Sequence, residues 1–283
     1  MEFTNTQEVE QLIDRALAED LGWGDVTTEV LVFPDQQGKA SIIAKANGIL
    51  AGTEVAKQVF LKVDPELKVG ILIEDGANIK PGDIIAKIEG KAASILKAER
   101  VALNFLQHLS GIASETARYV EAVKGLSARV TDTRKTIPGL RALEKHAVRA
   151  GGGKNHRMHL GDAILIKDNH LAVLRSQGLN IKEIVAMARQ KASPELKVEI
   201  EVKTPQEAVE AAEAGADIIM LDNTDIDDMR QAVQLIKGRA VIEASGGITL
   251  DKVRAVAETG VDLISIGALT HSAKALDISL ELD

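Results

Sequence analysis

The strongest constraint on the fold is a regular alternation of short apolar segments and amphipathic helical segments that begins near residue 126. Each apolar segment is nearly continuous in Val, Ile, Leu and Ala, which is typical of strands buried on both faces of a parallel sheet. The pattern predicts repeated strand–helix units. The predicted strands are residues 128–133, 163–168, 197–202, 217–222, 240–245 and 262–267.

Repeated units of this kind build either a parallel barrel or an open doubly wound sheet. Eight full barrel units usually need about 250 residues, and the alternating region has only roughly 160. We therefore predict an incomplete TIM-like α/β barrel over residues 112–271 as the catalytic domain.

The N-terminal part predicts a smaller α+β open sandwich domain over residues 1–111. Residues 9–17 and 53–63 have the spacing of amphipathic helices. Gly111 interrupts a long helical pattern, so we expect a break between two helices and a domain junction there. The apolar runs that predict the small sheet begin at Ala40, Leu67 and Asp83.

Composition excludes several classes of protein. The chain has no cysteine, so disulfides, thiolate metal sites and a cysteine nucleophile are excluded. Aromatic residues make up only 2%, which argues against nucleic-acid binding by base stacking. No apolar run approaches the roughly 18 residues of a membrane span, and the polar, acidic start does not resemble a signal peptide. We expect a cytoplasmic protein with no membrane or nucleic-acid partner.

Charge is distributed unevenly along the chain. The net charge of −8 argues by itself against anionic ligands. However, residues 129–175 contain ten Lys or Arg and four acids, so this segment carries +6 and the rest −14. The segment is either an ordinary charged surface or part of an anion site, and its position in the fold decides between the two.

Polar or small residues follow nearly every predicted strand, and chemistry in a parallel barrel lies at the carboxyl ends of its strands. Polar caps alone would not bring Lys, Glu and Asp to one rim, so we interpret them as a site. Glu201 and Asp222 end neighbouring predicted strands and supply oxygen ligands of the kind that Mg²⁺ shares with substrate phosphates. One of the two could instead be a general base or a salt-bridge partner.

A glycine turn, Ser245 to Gly247, is expected to lead into a helix N-terminus. Free backbone N–H groups and the helix dipole at such a place favour a phosphate. Barrels often bind phosphate after their last two strands, where this turn and Gly267 lie. A cationic wall suited to carboxylates and phosphates would consist of Arg134, Lys135, Arg157 and Lys167.

The segment TDTRKTIPGLRALEKHAVRAGGGKNHRMHLGDAILIKDNH resembles the quinolinate phosphoribosyltransferase family, and similar motifs extend over nearly the whole chain. The resemblance implies an N-terminal α/β sandwich domain and an incomplete barrel, with residues 272–283 returning to the N-terminal domain. It also implies a homodimer in which each active site borrows residues from the partner subunit.

The reaction implied by the resemblance joins quinolinate to 5-phosphoribosyl 1-pyrophosphate, giving nicotinate mononucleotide, pyrophosphate and CO₂ in de novo NAD biosynthesis. Lys135, Lys167, Glu201 and Asp222 would be the catalytic set, with Mg²⁺ and the sugar pyrophosphate on Glu201 and Asp222. Quinolinate and phosphates would meet Arg100 (lent by the partner), Thr133, Arg134, Lys135, His156, Arg157 and Lys167. The 5-phosphate would be held by Ser245, Gly246, Gly247, Ser265, Ile266 and Gly267.

Three alternatives stay open at the level of the sequence. One is a paralogue of the same fold associated with molybdenum transport, although the full arginine and lysine set argues against it. Another is an aldolase that uses Lys167 as a Schiff-base lysine. The third is a module that sequesters anionic metabolites without turnover.

Overall fold

The structure is a computed structural model that describes residues 7–283, and the chain divides into two compact units. The first unit contains the chain up to Ala117 together with Thr136–Gly152 and Ala268–Asp283. The second contains Arg118–Lys135 and Gly153–Gly267. Residues 1–6 of the predicted first domain lie outside the described residues.

The first unit is built around a four-stranded sheet in which β1 (Gln37–Ala44) pairs antiparallel with both β5 (Ile84–Lys91) and β12 (Ile278–Leu282). The last strand of the chain thus extends a sheet made by its first strands. The apolar run of β1 supplies buried Ile42 and Ala44 to the core. The other elements are α1 (Gln7–Leu21), α2 (Val26–Leu31), β2 (Gly48–Ile49), α3 (Thr53–Val63), β3 (Lys68–Ile71), β4 (Asn78–Ile79), α5 (Arg141–Ala150) and α11 (Ala268–His271).

The second unit is a six-stranded parallel sheet with intervening helices. Its strands are β6 (Arg129–Thr131), β7 (Ile164–Ile166), β8 (Val198–Val202), β9 (Ile218–Asp222), β10 (Val241–Ser245) and β11 (Leu263–Ser265). Its helices are α6 (Asp168–Arg175), α7 (Ile181–Lys191), α8 (Pro205–Glu213), α9 (Ile226–Ile236) and α10 (Val253–Ala257).

Local sequence explains where these helices begin. Asn180 and Glu183 form a reciprocal capping box at the start of α7. Thr204 caps α8, whose first residue is Pro205, a residue pre-organised for that position. Each of the six strands lies within its predicted segment, so the sequence pattern located them correctly.

The strand order of the parallel sheet is β6-β11-β10-β9-β8-β7. In a closed barrel with this succession of units, β6 and β7 would also pair, but no ladder joins these two strands in the described part of the chain. The sheet is therefore an open barrel, and the predicted α/β class is confirmed. Among residues 7–283, none of the helices has the length and apolarity that a membrane span requires.

The predicted helix break at Gly111 is wrong. A single helix, α4, runs through it from Ala92 to Ala122. A Cβ on Gly111 would lie 2.9 Å from the carbonyl carbon of Lys274, so the glycine permits close backbone packing and does not end the helix. Glycine in a helix costs about 1 kcal/mol of stability relative to alanine. The close contact with Lys274 explains why a glycine nevertheless occupies this position.

The compact units also differ from the predicted boundary between residues 111 and 112. Residues 112–117, 136–152 and 268–271 lie in the first unit. Part of the reason is α5, whose buried Glu144 lies 2.9 Å from His108 Nε2 on α4. This hydrogen bond ties a segment from the middle of the chain to the first unit.

Candidate active site

The carboxyl ends of the parallel strands border a cavity of about 500 Å³ in the second unit, which we call the rim pocket. Pairing in register places strand ends level with one another: Asp222 pairs with Ser245, and Ser265 with Thr131. The rim pocket is lined by Thr133, Arg134, Lys135, His156, Arg157, Leu165, Lys167, Glu201, Met220, Asp222, Asn223, Glu243, Ser245, Gly246, Gly247 and Ser265.

Three predicted site residues are not among those that line the rim pocket. Ile266 is buried, and its N–H donates to the carbonyl of Thr131 at 3.0 Å, so it serves the sheet. Gly267 follows it at the unit boundary. Arg100 lies on α4 in the first unit, where its exposed guanidinium is 3.7 Å from Glu99. The other predicted site residues come together.

Four cationic side chains face the rim pocket: Arg134, Lys135, Arg157 and Lys167. Arg157 is fixed by a 2.9 Å hydrogen bond from its Nη1 to the carbonyl of Ala163. Burial, followed by the charge of Arg134, lowers the pKa of Arg157, so the two guanidinium groups are close enough to repel. An anion between them would relieve that repulsion.

Two carboxylates, Glu201 and Asp222, face the same cavity from β8 and β9. The backbone N–H of Asp168 donates to Glu201 at 3.2 Å, which orients the carboxylate. Burial raises the pKa of Glu201, and the negative charges of Asp222 and Asp168 raise it further. Carboxylates that repel one another at an open pocket fit a hard divalent cation such as Mg²⁺.

The turn after β10 leads to a helix, as the sequence predicts, by way of a short loop. Gly246 and Gly247 both have positive φ, 95° and 57°, so the chain cannot continue directly into a helix. Thr249 accepts hydrogen bonds from the N–H groups of Lys252 and Val253, and the five-residue helix α10 begins at Val253, so the turn leads into a short helix after an intervening loop. Next to the turn, the buried hydroxyl of Ser265 has no hydrogen-bond partner among the described residues, and it lines the rim pocket.

Sequence reasoning missed two buried carboxylates at this site, Glu199 on β8 and Glu243 on β10. His156 Nε2 lies 3.2 Å from Glu199 Oε2 and 3.6 Å from Glu243 Oε2. Burial alone would lower the pKa of His156, but the two carboxylates raise it to about 10. The missed signal was a glutamate inside each of two predicted strands, VEIEV and VIEAS, that should be buried on both faces.

An open parallel barrel whose rim pocket combines cations, a pair of carboxylates and a glycine turn defines an α/β enzyme for polyanionic substrates. Two family models match the chain: the quinolinate phosphoribosyl transferase N-terminal domain over residues 25–110 and its C-terminal domain over residues 112–281. The chain belongs to the quinolinate phosphoribosyltransferase family.

Individual relatives agree with this assignment. A probable nicotinate-nucleotide pyrophosphorylase [carboxylating] of Bacillus subtilis is 44% identical over 98% of this chain and 94% of its own. A mitochondrial quinolinate phosphoribosyltransferase [decarboxylating] of Nicotiana glauca is 42% identical over 98% of this chain and 83% of its own. The crystal structure of NadC from Streptococcus pyogenes is 46% identical, with a TM-score of 0.93 over 98% of this chain and 96% of that one.

Proposed function

We propose that the rim pocket is the site where this chain joins quinolinate to 5-phosphoribosyl 1-pyrophosphate. The activity is that of its family, the decarboxylating quinolinate phosphoribosyltransferases of NAD biosynthesis. The observation that carries the proposal is the meeting of the cations, the carboxylates Glu201 and Asp222, and the Gly246–Gly247 turn around one cavity. Both substrates are polyanions, and the reaction needs them side by side.

The cationic side of the pocket suits quinolinate. Guanidinium groups bind carboxylates through paired hydrogen bonds, and lysine adds a point charge. Arg134, His156, Arg157 and Lys167 would hold the two carboxylates and thereby aim the ring nitrogen at the sugar. Thr133 stabilises the backbone on the cationic side of the pocket, because its hydroxyl accepts a 3.0 Å hydrogen bond from the N–H of Lys135.

The acidic side suits the sugar pyrophosphate with Mg²⁺, for which Glu201 and Asp222 are the proposed ligands. When bound, Mg²⁺ neutralises charge on the departing pyrophosphate. Glu201 is held for this task by the Asp168 N–H. Lys135 adds positive charge where the pyrophosphate departs. Ser245, Gly246, Gly247 and Ser265 would hold the 5-phosphate, and the Ser265 hydroxyl, which has no hydrogen-bond partner within residues 7–283, supports this placement.

The chemistry follows from positioning and charge. The pyridine nitrogen is already nucleophilic, so it needs no general base to displace pyrophosphate from the anomeric carbon through an oxocarbenium-like state. The quaternary ring nitrogen then stabilises the carbanion that is left at the adjacent carbon when its carboxylate departs as CO₂, and this carbon takes up a proton from solvent. Schiff-base chemistry at Lys167 is not favoured, because this side chain is exposed and not desolvated.

We further propose a homodimer in which Arg100 completes the partner's pocket. Five large apolar side chains of the first unit are highly exposed in the single chain, as expected of a surface that a second copy covers. They are Trp23, Val26, Val30, Leu31 and Phe33. A cytoplasmic location and the lack of a nucleic-acid partner stay predictions from the sequence.

Mixing two inactive variants tests the shared site. In a heterodimer of Arg100→Ala and Lys135→Ala chains, one of the two pockets would keep both residues. Random exchange of subunits should therefore restore about one quarter of the wild-type activity. No recovery from variants shown by sedimentation to exchange subunits would refute the sharing of Arg100.

The direct test of the activity is to incubate the purified protein with quinolinate, 5-phosphoribosyl 1-pyrophosphate and Mg²⁺. Nicotinate mononucleotide and CO₂ should form in equal amounts, and omission of Mg²⁺ should stop the reaction. Turnover of nicotinate in place of quinolinate would overturn the substrate assignment.

A further inference from the structure

Glu199 and Glu243 are unusual residues for the places they occupy. They lie on β8 and β10, on either side of β9, and their exposed fractions are 1% and 0%. Neither oxygen of Glu243 has a hydrogen-bond partner among the described residues. A buried carboxylate without compensation is costly, so the nearby imidazole of His156 must account for much of its stability.

We propose that Glu199 and Glu243 are positioning residues that hold His156 as a fixed cation at the floor of the rim pocket, where it meets a carboxylate of quinolinate. This inference rests on the proposed function, because it assigns His156 to that substrate. The glutamates themselves act through His156.

The geometry fits an imidazolium between two anions. His156 Nε2 is 3.4 Å and 3.2 Å from the two oxygens of Glu199 and 3.6 Å from Glu243 Oε2. The backbone N–H of His156 donates to Asp132 Oδ1 at 2.8 Å, which fixes the main chain below the ring. Backbone and ring are thus both restrained, and little reorientation is left to do when substrate binds.

The charge balance also favours this arrangement. Burial and the charge of Glu243 raise the pKa of Glu199, and the positive charges of His156 and Arg157 oppose that rise, so a cationic ring stabilises the ionised carboxylates. A neutral imidazole would leave both carboxylates facing each other at low dielectric, an expensive arrangement. The ligand atoms of the three side chains lie within 4.8 Å of one another, so a divalent cation in place of the proton is the competing occupant.

The main test uses Glu243→Gln, which keeps the shape of the side chain and removes its charge. We expect the KM for quinolinate to rise by roughly tenfold or more, the effect of weakening a charge-assisted contact. The KM for 5-phosphoribosyl 1-pyrophosphate should stay within about twofold of the wild-type value. Glu210→Gln, an exposed position on α8, is the matched control and should change neither constant.

A double-mutant cycle separates positioning from a general structural role. If Glu243 acts through His156, then Glu243→Gln should add little to the KM for quinolinate in a His156→Asn background. Independent, additive effects in folded variants would overturn the proposal. Glu199→Gln provides a second route should Glu243→Gln fail to fold.

A measurement without substrate keeps this inference distinct from the assigned reaction. The ring ¹⁵N resonances of His156 in the ligand-free wild-type protein should report an imidazolium up to at least about pH 8.5, and Glu243→Gln should shift its titration downward. A neutral ring at pH 7 would overturn the proposal even if quinolinate is turned over. Stoichiometric Zn²⁺ binding that is lost in Glu243→Gln would overturn it in favour of a metal site.

Discussion

Asp222 and Ser245 face each other in register across β9 and β10, at the edge where the two strands end. Parallel neighbours lie about 4.8 Å apart, so the proposed pyrophosphate-binding carboxylate and the start of the phosphate turn are adjacent. Asn223 links them, since its N–H donates to the carbonyl of Ser245 at 2.9 Å and its amide to Asp222 at 3.0 Å. The two parts of the sugar-phosphate site therefore form one rigid corner.

Gly246 is the position in this corner where a side chain should be least tolerated. A Cβ there would lie 2.8 Å from the backbone nitrogen of Asn223, and its φ of 95° is unfavourable for any other residue. We expect Gly246→Ala to lower the free energy of unfolding by about 1–3 kcal/mol and to raise the KM for 5-phosphoribosyl 1-pyrophosphate. Gly161→Ala, whose added Cβ would have no atom of the described residues within 4 Å, is the control for both measurements. Equal effects of the two substitutions would contradict a special role of the turn.

Glu201→Gln should weaken the response to Mg²⁺. The pKa of Glu201 is raised by burial and by the charges of Asp222 and Asp168, so a cation bound there would relieve a real repulsion. Loss of an outer-shell partner typically costs tenfold to a hundredfold in metal affinity, and loss of a direct ligand should cost at least about tenfold. Calorimetry of Mg²⁺ binding in the presence of the sugar pyrophosphate measures this. An unchanged Mg²⁺ affinity in Glu201→Gln would remove this residue from the proposed ligand set.

Lys135→Ala should slow the reaction without unfolding the protein, because this side chain is exposed at the mouth of the pocket. A lost preorganised charge contact costs about 3 kcal/mol in transition-state stabilisation, which corresponds to roughly a hundredfold in kcat/KM. Lys182→Ala on α7 is the matched substitution at an exposed lysine outside the pocket lining. Steady-state kinetics with both substrates compares the two, and a near-wild-type rate for Lys135→Ala would exclude it from the catalytic set.

Much of the second unit could be predicted because each of its strands and helices has a hydrophobic pattern that can be recognised within a short segment of the sequence. A strand buried on both faces must be apolar throughout, and a parallel sheet brings all carboxyl ends to one edge. This reasoning alone located Lys167, Glu201, Asp222 and the Ser245 turn at one rim. The resemblance added His156 and Ser265, which also line the rim pocket.

The features that escaped prediction depend on contacts between distant parts of the chain. The close approach of Lys274 to Gly111 has no local signature, so the sequence alone predicts a helix break at this glycine. Similarly, nothing in the local sequence explains why Glu199 and Glu243 interrupt apolar strands. Their role is visible only in the folded chain, where both carboxylates lie close to His156.

The first unit should lose stability at low pH because of one carboxylate, Asp75. Asp75 accepts hydrogen bonds from the N–H groups of Gly52 at 2.8 Å and Thr53 at 3.0 Å, and His146 Nε2 lies 2.7 Å from Asp75 Oδ2. Burial by itself raises the pKa of Asp75, but these hydrogen bonds outweigh it and hold the pKa below its ordinary value. A depressed folded-state pKa stabilises the protein above the unfolded-state pKa, and that stabilisation is lost as the pH falls toward the folded-state value.

The free energy of unfolding of the wild type, measured in urea, should therefore decrease as the pH falls from about 5 to about 3. Asp75→Asn should be less stable than the wild type at pH 7 by about 1.5–3 kcal/mol. Its free energy of unfolding should also depend less on pH over that range. Asp35→Asn, at an exposed position, is the control and should follow the wild type. Parallel pH curves for the wild type and Asp75→Asn would show that this carboxylate does not contribute to acid sensitivity.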